Sequence, residues 1–233
     1  MVQHSYASIL ETLRKSRWFH SLPQTLQDHI LQRSLIREYA RGDVILREGA
    51  PPEGIFAVLS GHVRVMRVTA DAAETLIHVG EAGFWFGDHG TLARVPSIGS
   101  IIADSAVRTL FLSVAEFERI VDDEPRYFRA FADLLFERYA LLFRYMGDTH
   151  SLAREQWLHV RLADLAAMQR GDAPSADAVS IPVSQADLAA MIGVSRQTLN
   201  GLLNRLEARG LIEVGYRSVR VLDEAALRNA GQQ

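Results

Sequence analysis

The stretch VSQADLAAMIGVSRQTLNGLLNRLEARGLIEV, Val183–Val214, decides the fold of the end of the chain in which it lies. Ser184 is a good N-cap, and Leu188, Ala189 and Ile192 follow at helical spacing. Gly193 stands where that helix needs a left-handed residue to end. Ser195 caps a second helix, which carries Leu199, Leu202, Leu203 and Leu206 on one face. Two short helices joined by a tight, glycine-containing turn form a helix-turn-helix. The second helix opens on Ser195, Arg196, Gln197 and Thr198, a polar first turn with no reason to be buried. That is the place where a recognition helix meets base edges. Asn200, one turn beyond Arg196, and Arg205 lie on the same helix, and Ser184 with Gln185 opens the first; these are the candidate DNA contacts. LIEVGYRSVRVL, Leu211–Leu222, then reads as a two-strand wing, with Arg217 and Arg220 placed for phosphate.

Local charge agrees. Between Val194 and Arg220 there are five arginines against two glutamates, a balance of +3 on a chain whose formal net charge is −3. The basic surface is therefore local to this end. The chain of 233 residues is long enough for one large domain or two small ones. It has no cysteine, which excludes disulfides, thiolate zinc sites and iron–sulfur clusters. No apolar run approaches the roughly 18 residues of a membrane span. The first residues lack a basic region followed by an apolar one, so no signal peptide, a cytoplasmic location and no membrane partner are expected. Enzyme motifs such as GxxxxGK[ST], HExxH and GxSxG are absent, and no enzymatic activity is expected.

Upstream, residues 5–40 carry apolar residues at helical spacing: Ile9, Leu10 and Leu13, then Leu26, Ile30 and Leu31. From about 40 to 115 short apolar runs alternate with turns punctuated by Gly42, Gly49, Gly54, Gly61, Gly83 and Gly87. Period-two alternation is clear over residues 62–68, the pattern of a small antiparallel sandwich or barrel. EPRYFRAFADLLFERYALLFRYM, Glu124–Met146, then reads as a long helix. Phe128, Phe131, Leu135, Leu142 and Met146 share one stripe, yet Leu134, Phe136, Leu141, Phe143 and Tyr145 make the helix apolar nearly all round. Such a helix needs cover on two sides: its own barrel and the same helix of a second subunit. GDTHSLAREQ loosens the pattern, and RGDAPSADA, residues 170–178, reads as a loop.

Together these stretches resemble the CRP/FNR family of bacterial transcription regulators. REGAPPEGIFAVLSGHVRVMR is similar to the family's β-roll, FWFGDHG to its effector cassette, Glu124–Met146 to its dimerisation helix and residues 185–214 to its winged helix-turn-helix. The resemblance implies an α+β chain in three parts. Residues 1–123 form a jelly-roll-like β-roll sensor with N-terminal helices, 124–149 the dimerisation helix and 150–233 the DNA-binding domain. It also implies a homodimer on palindromic double-stranded DNA, with RNA polymerase as a partner.

The cassette is where this chain departs from the family. In the cyclic-AMP-binding members a glycine–glutamate pair is followed by an arginine–serine pair, whose arginine neutralises the cyclic phosphate. Gly87–Asp88 fills the first pair, but the second falls at Ser97–Ile98 or Ile98–Gly99, and Arg94 is several residues early. Polar base-reading residues on the long helix are matched here by Leu142–Phe143. A buried phosphate without its paired charge is costly, so no response to cyclic AMP and no cofactor are expected. One reading has no small effector at all, with regulation by abundance or by a partner, and three alternatives stay open beside it. One is haem on His89, which matches the axial histidine of the family's carbon-monoxide sensors. Another is a small effector beside Trp85, Phe86 and Leu142. The third is a rearranged cyclic-nucleotide cassette that uses Arg94.

Overall fold

Three short helices open the chain: α1 (Val2–Leu13), α2 (Arg17–Ser21) and α3 (Gln24–Arg33). The computed structural model describes residues 2–68, 74–170 and 178–231, so most of the 170–178 loop lies outside the described residues. Helix does not continue to residue 40, as its spacing had led us to expect. Leu35–Tyr39 is a strand, β1, because its backbone pairs with the strand ending at Ser113, in the register Leu35↔Phe111. Tertiary pairing there overrides a short helical pattern.

β2 (Val44–Leu46), β3 (Gly54–Ser60), β4 (Val63–Val68), β5 (Glu74–Gly80) and β6 (Trp85–Phe86) follow, then a short helix α4 (Asp88–Ala93), β7 (Ser100–Ala103) and β8 (Val107–Ser113). They form two four-stranded sheets, β1-β8-β3-β6 and β2-β7-β4-β5, whose pairings are antiparallel. Side chains alternate faces along a strand, and that alternation builds two cores. Phe56, Val58, Phe86 and Phe111 point between the sheets, where they meet Ile45, Leu46, Val63 and Ile101 of the second sheet. Their neighbours Ile55, Ala57, Trp85, Leu110 and Leu112 point the other way, onto Trp18, Phe19, Leu26 and Ile30 of the N-terminal helices.

The same second core takes up α5 (Val114–Asp123), an element missed from sequence. Its signal is present as Ser113 and Glu116, a serine cap with an acid three residues on; Ser113 Oγ accepts the Glu116 N–H at 3.2 Å. Helix α6 runs over Tyr127–Ser151, starting after Pro125 and continuing beyond Met146. Phe131, expected on a subunit interface, is instead buried in this core, edge-on to Phe117 at 4.9 Å. Among the described side chains, the large exposed apolar ones of α6 are Phe128, Phe136 and Tyr139 and, further along, Leu142, Phe143 and Met146; Leu135 is half-buried.

The chain divides into two compact units, Met1–Ala140 and Leu141–Gln233. In the second, α7 (Arg154–Arg170) is followed by β9 (Val179–Ile181), α8 (Gln185–Ile192), α9 (Arg196–Ala208), β10 (Ile212–Gly215), β11 (Ser218–Val221) and α10 (Glu224–Gly231). The sequence reading passed over α7 because it is buried on most sides, from Trp157 to Ala166, and such a helix has no polar stripe. β9 joins the expected hairpin as a third strand, with Ile181 opposite Val219. Among the described residues no helix is long and apolar enough to cross a membrane.

Candidate functional site

The second unit holds the helix-turn-helix. Ser184 Oγ accepts the Asp187 N–H at 3.1 Å, which fixes the start of α8. Gly193, at φ +71°, ends it in the left-handed region, and the Val194 N–H returns to the Ala189 carbonyl at 3.0 Å. Ser195 then accepts the Thr198 N–H at 3.1 Å and opens α9. Leu199, Leu202, Leu203 and Leu206 are buried, so the opposite face of α9 is turned to solvent. Arg196, Gln197 and Thr198 are exposed at its start; Asn200 is half-buried, with an enclosed Oδ1 that has no partner among the described residues. Ser184, Ser195 and Thr198 are committed to capping, and Gln185 is half-buried beside them.

Arg205 differs from its expected role. Its guanidinium is turned to Glu155 in α7, with Nη2 donating to Oε2 at 2.9 Å and Nε to Oε1 at 3.3 Å. That fork holds the Glu155 carboxyl below the usual carboxylate range, the hydrogen bond from Arg205 being the main cause. The wing is tied to the end of α9 by the Val214 N–H, which donates to Glu207 Oε1 at 2.9 Å. Arg220 pairs across the hairpin with Glu213 at 3.1 Å. At the tip, Arg217 has φ +51° and Tyr216 is 94% exposed. A tyrosine and a left-handed arginine are poor turn residues, and such local cost is expected at contact sites. Tyr216 is a residue the sequence reading missed.

The first unit holds the cassette. Gly87 has φ +84°, and a Cβ there would lie 2.3 Å from the Gly54 carbonyl oxygen, so only glycine fits. It turns Asp88 into the first turn of α4, where the side chain is 1% exposed. Arg138 of α6 meets it: Nη1 donates to Asp88 Oδ1 at 2.7 Å, while Nη2 donates to the Trp85 carbonyl. The same guanidinium lies 5.4 Å from the Phe84 ring centre. The cassette acid is thus neutralised from within the unit. Asp88 Oδ2 has no hydrogen-bond partner among the described residues. Arg138 escaped the sequence reading because it stands 50 residues from Asp88 with no local motif between them.

Other cassette candidates are placed differently from expectation. Trp85 and Phe86 are buried in the two cores. Trp85 stacks on Phe19 at 5.4 Å and meets Trp18 edge-on at 4.9 Å, while Phe86 stacks on Phe56 at 5.0 Å. The alternation of a two-residue strand sends one into each core. Arg94 ends α4 at φ +56° and donates to Glu118 at 2.8 Å on an exposed surface. Ser97 Oγ donates to the Gly99 carbonyl at 2.7 Å, and Ile98 beside it is exposed. No charged side chain stands at this position. His89 is half-buried, with Nδ1 unpartnered among the described residues. Leu142 and Phe143 are exposed on α6.

Two family models match the chain: a cyclic nucleotide-binding domain over residues 36–124 and a Crp-like helix-turn-helix domain over 158–230. The HTH-type transcriptional regulator Cmr of Mycobacterium tuberculosis is 27% identical over 213 residues, covering 91% of this chain and 79% of that protein. The CRP-like cAMP-activated global transcriptional regulator of the same species is 24% identical over 193 residues, covering 82% and 85%. Among solved structures, FixK2 from Bradyrhizobium japonicum superimposes with a TM-score of 0.72 at 16% identity, covering 84% of this chain and 96% of that one. Two successive domain matches in this order, nearly full-length relatives and a shared fold agree: the chain belongs to the CRP/FNR family of transcription regulators.

Proposed function

We propose that the chain acts as a homodimer that binds a two-fold symmetric DNA site through α9 and regulates transcription without responding to cyclic AMP. The observation that carries this reading is the exposed Arg196–Gln197 start of α9, supported on its far side by four buried leucines. Arg196 suits guanine O6 and N7, and Gln197 suits adenine N6 and N7. Arg217 and Arg220 on the wing, with Tyr216 between the strands, suit the phosphate backbone. The exposed apolar positions of α6 are what a second copy of the helix would cover, and a dimer sets the half-sites about one helical turn apart. RNA polymerase is the further partner, by family resemblance. The chain works by binding and not by catalysis in this reading.

Arg196→Ala should weaken binding by roughly 1–3 kcal/mol and relax one base position. Loss of Arg217 or Arg220 should weaken all sites alike and flatten the dependence on salt. Titrations against matched and mismatched duplexes at several salt concentrations separate the two. Unchanged specificity in Arg196→Ala would mean that the recognition turn is assigned wrongly.

The cassette supports the second half of the reading. The Ser97–Gly99 position offers no cation, Arg94 is held by Glu118, and Asp88 is held by Arg138. A cyclic phosphate buried there would lack its counter-charge, at a cost of several kcal/mol. Some relatives are cAMP-activated by name, and the cassette here lacks the arginine–serine pair of the family's cyclic-AMP-binding members. Calorimetry with cyclic AMP is expected to show no binding at micromolar concentration; a micromolar Kd would overturn it. The reading requires no cofactor, and a Soret band removed by His89→Ala would contradict that.

A further inference from the structure

Helix α9 carries two arginines, Arg196 at its start and Arg205 further along. Arg205 lies roughly 110° around the helix from the middle of the buried leucine face, on a flank. A helix with its side chains is about 10–12 Å across and the major groove about 12 Å wide, so the flanks of a helix seated there face the phosphate walls. An arginine on that flank is placed for phosphate, but this one is already committed. Its Nη2 and Nε donate to the Glu155 carboxylate at 2.9 and 3.3 Å, and its Nη1 donates to the Gly201 carbonyl at 3.3 Å. Glu155 is the second residue of α7, so a side chain outside the helix-turn-helix decides where the guanidinium goes. The pair does little for the fold. Its side chains are 56% and 38% exposed, and ion pairs this exposed change a folding equilibrium by roughly a factor of five at most. Helix α9 is anchored by its four buried leucines instead.

We propose that Glu155 is a positioning residue for DNA binding: it holds Arg205 off the phosphate backbone and so limits sequence-independent affinity. A guanidinium meets carboxylate and phosphate through the same two-pronged geometry, so the two anions compete for one arginine. A phosphate contact carries no base information. Releasing Arg205 therefore strengthens binding to every duplex alike, and holding it keeps the protein from lingering on unrelated DNA. The inference rests on α9 being the recognition helix.

Glu155→Gln, Arg205→Gln and the double variant, each in the full chain, test it by titration against an unrelated duplex at several salt concentrations. Glu155→Gln is expected to tighten binding and to steepen the slope of log affinity against log salt by about 0.9 for each arginine released, or about 1.8 for two subunits. Its gain over wild type should then be about tenfold larger at roughly 50 mM salt than at roughly 200 mM. In the Arg205→Gln background the same change should leave the slope where it is, because no arginine remains to be released. Thermal scans should show every variant folded, since the pair is exposed. A wild-type slope in Glu155→Gln would overturn the proposal. So would equal steepening in both backgrounds, which would mean that Glu155 acts by its charge alone. Wild-type protein in the same assay keeps the two readings apart. If it binds no DNA, the recognition-helix assignment fails; if it binds and the slopes do not move, only the role of Glu155 fails.

Discussion

Phe136→Asp and Phe143→Asp in α6 are each expected to convert the protein from dimer to monomer and to abolish site-specific DNA binding. These rings are 64% and 67% exposed. In a two-fold dimer one substitution appears twice. A carboxylate forced into an apolar contact costs roughly 3 kcal/mol at each copy, so the dimerisation constant should fall by roughly four orders of magnitude. Each monomer would then hold one half-site alone. Light scattering at micromolar protein reads the mass, and a thermal scan confirms that each variant still folds, since neither ring belongs to a buried core. A monomeric wild type at the same concentration would contradict the dimer. Leu142→Asp should behave in the same way. Leu135→Asp is a poorer test, because Leu135 is half-buried and the change would also disturb the fold.

Arg138→Met is expected to destabilise the first unit by about 3–5 kcal/mol, because it leaves a buried carboxylate without its counter-charge. Asp88 is 1% exposed and its Oδ1 accepts from Arg138 at 2.7 Å. Replacing both residues, as Arg138→Met with Asp88→Leu, should recover much of the loss, because a paired apolar replacement removes the stranded charge. Denaturant midpoints of the two singles and the double measure the coupling. A midpoint unchanged in Arg138→Met would show that the pair is not closed in solution.

The helix-turn-helix was legible in the sequence because its determinants are local. Ser184, Gly193 and Ser195 act within four residues of themselves, and the leucines of α9 repeat at helical spacing. The missing cassette arginine was legible for the same reason. What escaped depends on contacts between distant residues. Arg138 reaches Asp88, and Arg205 reaches Glu155, each across 50 positions. Phe131 looked like an interface residue because an all-round apolar helix does not reveal which stripe its own core takes; Trp18 and Phe117 decide that. Trp85 and Phe86 looked like pocket walls because a two-residue strand is too short to show its alternation. β1 was read as helix because only its partner strand fixes its state.

The proposed function stands or falls on sequence-specific binding to a two-fold symmetric DNA site by the exposed start of α9. Selection from a random duplex pool with the full-length protein, near physiological salt, tests it most directly. The account predicts enrichment of a palindrome whose half-sites lie about one helical turn apart, with a guanine placed for Arg196 and adenines for the neighbouring amides. Its half-sites should differ from the TGTGA-like and TTGAT-like patterns associated with the two best-known branches of the family. A pool that shows no enrichment, or that yields a single asymmetric half-site, would contradict it.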